Sequence, residues 1–111
     1  MGKRIALLAA AASLLAASSA ASAALDDKAA QQIMSKANCA VCHAIDKKSV
    51  GPAYREVAKK RKADMDAAAM LATKVREGGS GAYGQIPMPP NPKEKISDDE
   101  IKQLVEWILT K

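Results

Sequence analysis

Cys39-Ala40-Val41-Cys42-His43 is the stretch of this 111-residue chain that decides its fold. Two thiols lie three positions apart, about one helical turn, and an imidazole follows directly after the second. This spacing is the attachment signature of a c-type haem, in which each thiol forms a thioether to a vinyl group and the histidine faces the iron. His43 is the only histidine of the chain. The sequence therefore predicts one covalent haem held by Cys39 and Cys42, with His43 as an axial iron ligand.

Other chemistry of paired cysteines accounts for the motif less well. A disulfide within C-x-x-C would close a very small loop and stabilise little. A thioredoxin-like redox pair needs a βαβ setting, for which no strand pattern is visible. A closed zinc site usually needs four ligands, whereas the chain supplies two cysteines and one histidine. Haem attachment is the interpretation that uses all three residues.

The first 23 residues have the pattern of a secretory signal peptide. A positive head, Lys3 and Arg4, precedes an almost unbroken Ala/Leu run over residues 5–17, and small residues follow to Ala23. This order of segments, ending in an A-x-A-type site, is typical of a cleaved export signal. A retained membrane anchor is the alternative, but an apolar run of about 13 residues is shorter than the roughly 20 that span a bilayer. We expect cleavage after Ala23, a domain over residues 24–111, a periplasmic location and no stable membrane insertion.

The rest of the chain carries helical patterns. Apolar residues recur at helical spacing, and Asp26 and Asp27 suit the positive end of a first helix. Ser97 and Glu100 form a capping-box pattern, with serine at the N-cap and glutamate three positions later. The predicted helices cover residues 25–37, 52–62 and 66–77, with a last helix that begins after Ser97. We expect an all-α domain of about four helices wrapped around one covalent haem, with the first and last helices packed together.

Composition indicates what fills the interior and which partners are excluded. Aromatic residues make up 3% of the chain, with one Trp and no Phe, and a domain of this size builds only a marginal apolar core. A haem would supply the missing bulk. The formal net charge is +5, or +3 without Lys3 and Arg4. In an exported protein, the basic run of residues 59–62 indicates a solvated face or a docking surface for acidic partners, and not a nucleic-acid site.

Residues 78–92 are the second informative stretch, with the sequence GGSGAYGQIPMPPNP. So many glycines and prolines predict no regular structure. Met88 is held in this stiff frame, whereas Met34 lies on the apolar face of the first helix and is expected to be core packing. Since electron-carrying haems pair a histidine with a methionine, the sequence predicts Met88 as the iron ligand opposite His43. The alternative is a loop methionine that fills a surface gap.

Together these residues resemble a known family. The haem motif near the start of the domain, Gly51-Pro52-Ala53-Tyr54, residues 86–91 with the sequence IPMPPN, and a Trp-bearing last helix are similar to the small bacterial monohaem class I cytochromes c. The resemblance covers essentially all of residues 24–111. Its most specific parts are the C-x-x-C-H motif and the Pro-Met-Pro-Pro loop. It implies a small cytochrome c fold around one haem c.

The resemblance also assigns roles to further residues. Pro52 matches the proline whose carbonyl accepts a hydrogen bond from the ligand histidine, and Asn91 matches a residue that hydrogen-bonds near the methionine sulfur. Tyr83 stands where many relatives carry Trp beside a haem propionate. Lys74 stands where some relatives carry Arg. The connector of residues 92–96 is a few residues longer than in close relatives.

The predicted function is that of a periplasmic one-electron carrier, not an enzyme, which shuttles electrons between respiratory-chain components as a monomer. A His43/Met88 pair leaves no open iron position for a substrate. Electrons would pass through the haem edge near Ala40 and Val41, where Lys36, Lys47 and Lys48 could steer redox partners with acidic docking patches. The alternatives are a relay subunit of a larger oxidoreductase, and a haem sensor or peroxidase with an open sixth position.

Overall fold

The computed structural model describes residues 25–111. The expected signal peptide and its cleavage site lie outside the described residues. Within them are four α-helices, one turn of 3-10 helix and one two-stranded hairpin. In chain order the elements are α1 Asp27–Lys36, the 3-10 turn Cys39–Val41, α2 Tyr54–Arg61, α3 Ala67–Glu77, β1 Gly79–Gly81, β2 Gly84–Met88 and α4 Asp98–Leu109. The expected all-α class and the helix positions are confirmed, with ends that shift by one or two residues.

Helix α4 is the centre of the described domain, because α1, α2 and α3 all pack against it. Its apolar side chains recur at helical spacing and are buried, among them Ile101, Leu104 and Val105. The capping box at its start is present: the Ser97 hydroxyl accepts from the Glu100 backbone N–H at 3.1 Å, and the Glu100 carboxylate accepts from the Ser97 N–H at 3.0 Å. Sequence and structure agree fully on this helix.

The predicted contact between the first and last helices is also present. The Trp107 indole on α4 donates to the Asp27 carboxylate on α1 at 3.0 Å, and Lys111 donates to the same carboxylate at 3.0 Å. Lys36 forms an ion pair with Glu100 at the other end of the contact. Met34 is buried between the helices, as expected for core packing.

The prediction that residues 78–92 lack regular structure is wrong for residues 79–88. Strands β1 and β2 pair antiparallel, with Gly79 opposite Met88 and Gly81 opposite Gly84. Gly79, Gly81 and Gly84 have φ angles of 114°, 112° and 115°. Residues that carry a Cβ rarely adopt such angles. Pro87 is tolerated because a two-stranded hairpin has free edges, where a missing N–H disrupts no ladder.

The connector of residues 92–96 is not merely polar. Ile96 is 1% exposed and belongs to the same core cluster as Leu104 and Trp107. The backbone N–H groups of Lys95 and Ile96 both bind the Pro92 carbonyl, at 3.0 and 3.2 Å, and so form a turn. This turn directs Ile96 into the interior immediately before α4 begins. Across residues 25–111, no helix is long and apolar enough to cross a membrane.

Candidate haem site

The C-x-x-C-H motif folds into a tight turn at the end of α1. Asn38 has a φ angle of 60° and turns the chain out of the helix. The backbone N–H groups of Cys42 and His43 then both bind the Cys39 carbonyl, at 3.1 and 2.9 Å. Asparagine tolerates this left-handed conformation better than most residues. The role of Asn38 was not predicted, although asparagine just after a helical pattern is a known stop signal.

No disulfide joins the two cysteines, of which Cys39 is buried and Cys42 is half-buried. Burial raises the pKa of the Cys39 thiol, and the positive charge of Lys95 partly offsets this effect. Because neither sulfur is bonded to the other, both can form thioether bonds.

His43 is held by the loop that returns beneath it. Its Nδ1 lies 2.8 Å from the Pro52 carbonyl oxygen. Since a carbonyl only accepts, Nδ1 carries the ring proton, and Nε2 has a free lone pair for a metal. The Gly51 N–H donates to the Cys42 carbonyl at 2.8 Å, which draws the loop against the ring. A Cβ on Gly51 would lie 2.6 Å from His43 Cε1, so only glycine fits there without a shift.

Tyr54 fixes the plane of the same imidazole. Its ring stacks on His43, with centroids 5.1 Å apart and an interplanar angle of 17°. Trp107 packs edge-on against Tyr54, with centroids 6.0 Å apart. Burial raises the pKa of the Tyr54 phenol strongly, so the ring remains neutral. These aromatic contacts, which sequence patterns gave no reason to expect, connect His43 to the core around α4.

A cleft opens in front of His43, and Met88 lines it together with the histidine. The cleft, its open mouth included, holds about 1090 Å³ of empty space. Large apolar side chains are exposed there: Val50, Met70 and Ile86 all line the cleft. Exposed apolar groups around a concave surface indicate that an apolar molecule covers them. A haem ring meets this requirement.

One end of the cleft is polar. The Tyr83 hydroxyl is buried and has no hydrogen-bond partner within residues 25–111. Burial raises the pKa of this phenol, with the nearby Arg61 opposing. Lys74 also lines the cleft, and its amine would lie 3.3 Å from a Cβ placed on Gly79. Tyr83, Arg61 and Lys74 all line the cleft. A hydroxyl donor and two cations in one lining suit carboxylates, so these side chains fit the propionates of a haem.

Met88 ends strand β2 and is half-buried. It lines the cleft and also a neighbouring recess beside Cys39 and Asn91. Asn91 is buried, but its side-chain amide donates to the Val75 carbonyl at 2.9 Å and not to the Met88 sulfur. Its backbone N–H donates to the Arg76 carbonyl at 3.0 Å. In this structure Asn91 therefore anchors the loop of residues 88–91, the methionine loop, to the end of α3. This contact differs from the sulfur contact that the resemblance implied.

The described residues contain no cluster of three or more His, Cys, Asp or Glu side chains that could hold a metal ion by themselves. One histidine and two methionines, Met70 and Met88, line the cleft, and so few donors instead match a metal that arrives inside a cofactor. The donor set, the apolar lining and the polar end of the cleft all fit a haem.

Comparison with known proteins supports the same assignment. The family model of cytochrome c matches residues 28–111. The chain is 47% identical over 83 residues to cytochrome c-551 of Azotobacter vinelandii, covering 75% of this chain and 98% of that protein. It is 46% identical over 83 residues to cytochrome c-552 of Nitrosomonas europaea, covering 75% of this chain and 79% of that protein.

Solved structures agree with these relatives. The crystal structure of wild-type Nitrosomonas europaea cytochrome c552 matches with a TM-score of 0.68 and 46% identity, covering 72% of this chain and 96% of that one. A class 1 cytochrome from Sideroxydans lithotrophicus ES-1 matches with a TM-score of 0.68 and 37% identity, covering 78% and 97% of the two chains.

The chain therefore belongs to the cytochrome c family, within the group of small monohaem class I proteins. It has the small cytochrome c fold and carries one covalently attached c-type haem. It is an electron-transfer protein that works with redox partners.

Proposed function

We propose that this protein is a periplasmic one-electron carrier that shuttles between respiratory-chain components after removal of residues 1–23. The observation that carries the proposal is the placement of His43 and Met88 on one cleft, with the His43 ring already oriented by Pro52. Ligands on both faces of the iron leave no position for a substrate, which favours electron transfer over catalysis or gas sensing.

Residues in and beside the cleft hold the haem. Cys39 and Cys42 form the two thioethers, and His43 Nε2 and the Met88 sulfur bind the iron. Pro52 holds the His43 Nδ1 proton, which strengthens Nε2 as a ligand. When bound, the haem supplies a one-electron change between ferric and ferrous iron. A thioether ligand favours the ferrous state and raises the reduction potential.

At the polar end of the cleft, Tyr83 donates its hydroxyl to a propionate, and Lys74 balances the negative charge. This assignment gives the unpartnered Tyr83 hydroxyl the acceptor that it lacks among the described residues. By the family resemblance, an aromatic donor is thereby retained where many relatives carry Trp, and a cation where some relatives carry Arg. Pro52 and Asn91 do not bind the iron. Pro52 acts through His43, and Asn91 acts through the methionine loop.

The docking surface surrounds the motif turn. Val41 is 72% exposed beside Cys42, and Lys47 and Lys48 are exposed on the loop that follows. An apolar centre with a cationic rim suits a transient partner that carries an acidic patch. Lys36 contributes little to this cationic rim, because its charge is neutralised by the ion pair with Glu100. A small contact of this kind is compatible with a monomer that releases its partner after each electron.

Replacement of Met88 by alanine tests the proposed ligand pair. Removal of the thioether should open one side of the iron, so the ferrous Met88→Ala holoprotein should bind carbon monoxide readily while the wild type resists it. The matched control is Met65→Ala, since Met65 is fully exposed and lies outside the cleft. If Met88→Ala binds carbon monoxide no better than the wild type, Met88 is not a ligand. A five-coordinate spectrum of the wild-type ferric protein would overturn the carrier assignment.

A further inference from the structure

Arg76, in the last turn of α3, contacts three separate parts of the chain. Its guanidinium donates to the Asn91 carbonyl at 2.8 Å and to the Ile96 carbonyl at 2.9 Å. It also forms a bond of 2.5 Å with the Asp98 carboxylate in the first turn of α4. The planar fork of arginine is suited to several acceptors at once, whereas lysine presents a single point charge. Neither the sequence patterns nor the family resemblance singled out this residue.

The bonds run in both directions between α3 and the loop. The Asn91 backbone N–H donates to the Arg76 carbonyl, and the Asn91 amide donates to the Val75 carbonyl. These carbonyls lie at the C-terminal end of α3, where helix carbonyls lack intrahelical partners. The loop therefore caps the helix, and Arg76 supplies the donors that the loop carbonyls need. Loss of Arg76 would leave the partly buried carbonyls of Asn91 and Ile96 without their donor.

The same end of α3 lies directly against Met88. Gly78 follows the helix with a φ angle of 68°, and a Cβ there would lie 2.2 Å from the Met88 carbonyl oxygen. Met88 thus rests on the backbone of Gly78, and Asn91, three residues later, is tied to Arg76. Between these two fixed points the chain has little freedom, because residues 89 and 90 are both proline.

We propose that Arg76 is the positioning residue for Met88, holding the methionine loop so that the sulfur stays on the iron. This inference rests on the proposed function, in which Met88 is the ligand. Arg76 does not line the cleft; it acts through Asn91 and the connector of residues 92–96. Asp98 also binds the guanidinium, and this hydrogen bond lowers the pKa of the Asp98 carboxyl. The connector of residues 92–96 is fixed at Ile96, which is buried and accepts a hydrogen bond from Arg76.

The experiment measures how often the sulfur leaves the iron. In the ferric holoprotein, cyanide enters only after Met88 dissociates, so at saturating cyanide the binding rate reports loop opening. Arg76→Gln should raise this limiting rate roughly tenfold or more, the scale of one lost charge-assisted hydrogen bond. Arg76→Lys keeps the charge without the fork and should give an intermediate rate. The sulfur-to-iron charge-transfer band should also disappear at lower denaturant concentration than the far-ultraviolet helix signal.

The matched control is Asp27→Asn, which weakens two contacts on the opposite side of α4. It should lower global stability while leaving the cyanide rate within about twofold of the wild type, since distant sites act independently. If Asp27→Asn and Arg76→Gln raise the rate equally, Arg76 is a general stabiliser and the proposal is wrong. An unchanged cyanide-binding rate in Arg76→Gln would also contradict the proposal.

Two further outcomes are distinguishable. If Arg76→Gln does not fold, Asp98→Asn removes one of the three partners of Arg76 and should still raise the cyanide rate; a wild-type rate there overturns the proposal. If the wild type itself lacks the charge-transfer band and binds cyanide without saturation, the ligand role of Met88 fails, and with it the proposed function. If the wild type shows the charge-transfer band and Arg76→Gln leaves the cyanide-binding rate unchanged, only the proposed role of Arg76 is wrong.

Discussion

At the scale of single residues, the ligand histidine is held by close backbone contact. Pro52 fixes the Nδ1 proton, Tyr54 supports the face of the ring, and Gly51 lets the loop pass under its edge. Each contact limits rotation of the imidazole, so the lone pair of Nε2 keeps one direction. This preorganisation means that little has to rearrange when the iron is bound.

Gly51→Ala should therefore disturb His43 specifically. The added Cβ would fall 2.6 Å from Cε1 of the imidazole, and forced overpacking of this kind typically costs about 1–3 kcal/mol. Denaturant unfolding of the ferric holoprotein measures the loss. Ser49→Ala, in the same exposed loop, is the control because Ser49 contributes a backbone bond that alanine retains. Equal stability of the Gly51→Ala protein and the wild type would show that the ring is not tightly held.

At the scale of elements, α4 and the hairpin have different physical origins. Helix α4 forms where a capping box meets an apolar stripe, and both signals are local. The hairpin of β1 and β2 has no alternation of apolar and polar residues, and its side chains are mostly exposed. It forms because Gly79, Gly81 and Gly84 take positive φ angles, while Met88, its last residue, lies against the backbone of Gly78.

Ser97→Ala should weaken α4 by removing the acceptor for the Glu100 N–H. Loss of an N-cap side chain costs about 1 kcal/mol, typically within roughly 0.5–2 kcal/mol. Thermal unfolding of the holoprotein measures the loss. The midpoint temperature of the whole unfolding transition should fall, because α4 packs against the other three helices. Ser97→Thr keeps a capping hydroxyl and should stay close to the wild type. An alanine variant as stable as the threonine variant would show that the cap contributes nothing.

At the scale of the whole molecule, three carboxylates join segments that are distant in the sequence. Asp27 links α1 to Trp107 and Lys111, Asp98 links α4 to Arg76, and Glu100 links α4 to Lys36. Hydrogen bonds from these partners lower the pKa of all three carboxyl groups. The folded state therefore prefers the charged forms more than the unfolded chain does.

The sign of the resulting pH dependence follows from the lowered pKa values. Their contribution to stability is complete above the ordinary pKa values of 3.8 for Asp and 4.5 for Glu, and it is lost as pH falls through the lower pKa values of the folded state. Urea unfolding from pH 7 down to pH 3 should show a plateau followed by a decline. Asp27→Asn should make the decline shallower, whereas Glu106→Gln, an exposed residue of α4, should leave it unchanged. A steeper decline in Asp27→Asn would contradict the assignment.

The haem motif, the four helices, the α4 cap and the choice of Met88 as candidate ligand could all be predicted from the amino-acid sequence. Each of these depends on residues a few positions apart, where thiol spacing, helical periodicity and capping chemistry act locally. The connection of Pro52 to His43 also follows from the family resemblance, and the structure contains the hydrogen bond.

The contacts that hold the methionine loop could not be predicted from the sequence and became visible in the folded chain. The hairpin, the burial of Ile96, the bond from Asn91 to Val75 and the three contacts of Arg76 join residues that no local pattern relates. The partners in the Asn91 and Arg76 side-chain bonds lie 15 to 22 positions apart along the chain, and the Trp107 indole binds Asp27 across 80 positions. Such pairs form because packing against α4 brings them together, so their identity depends on the assembled fold and not on the sequence around each residue.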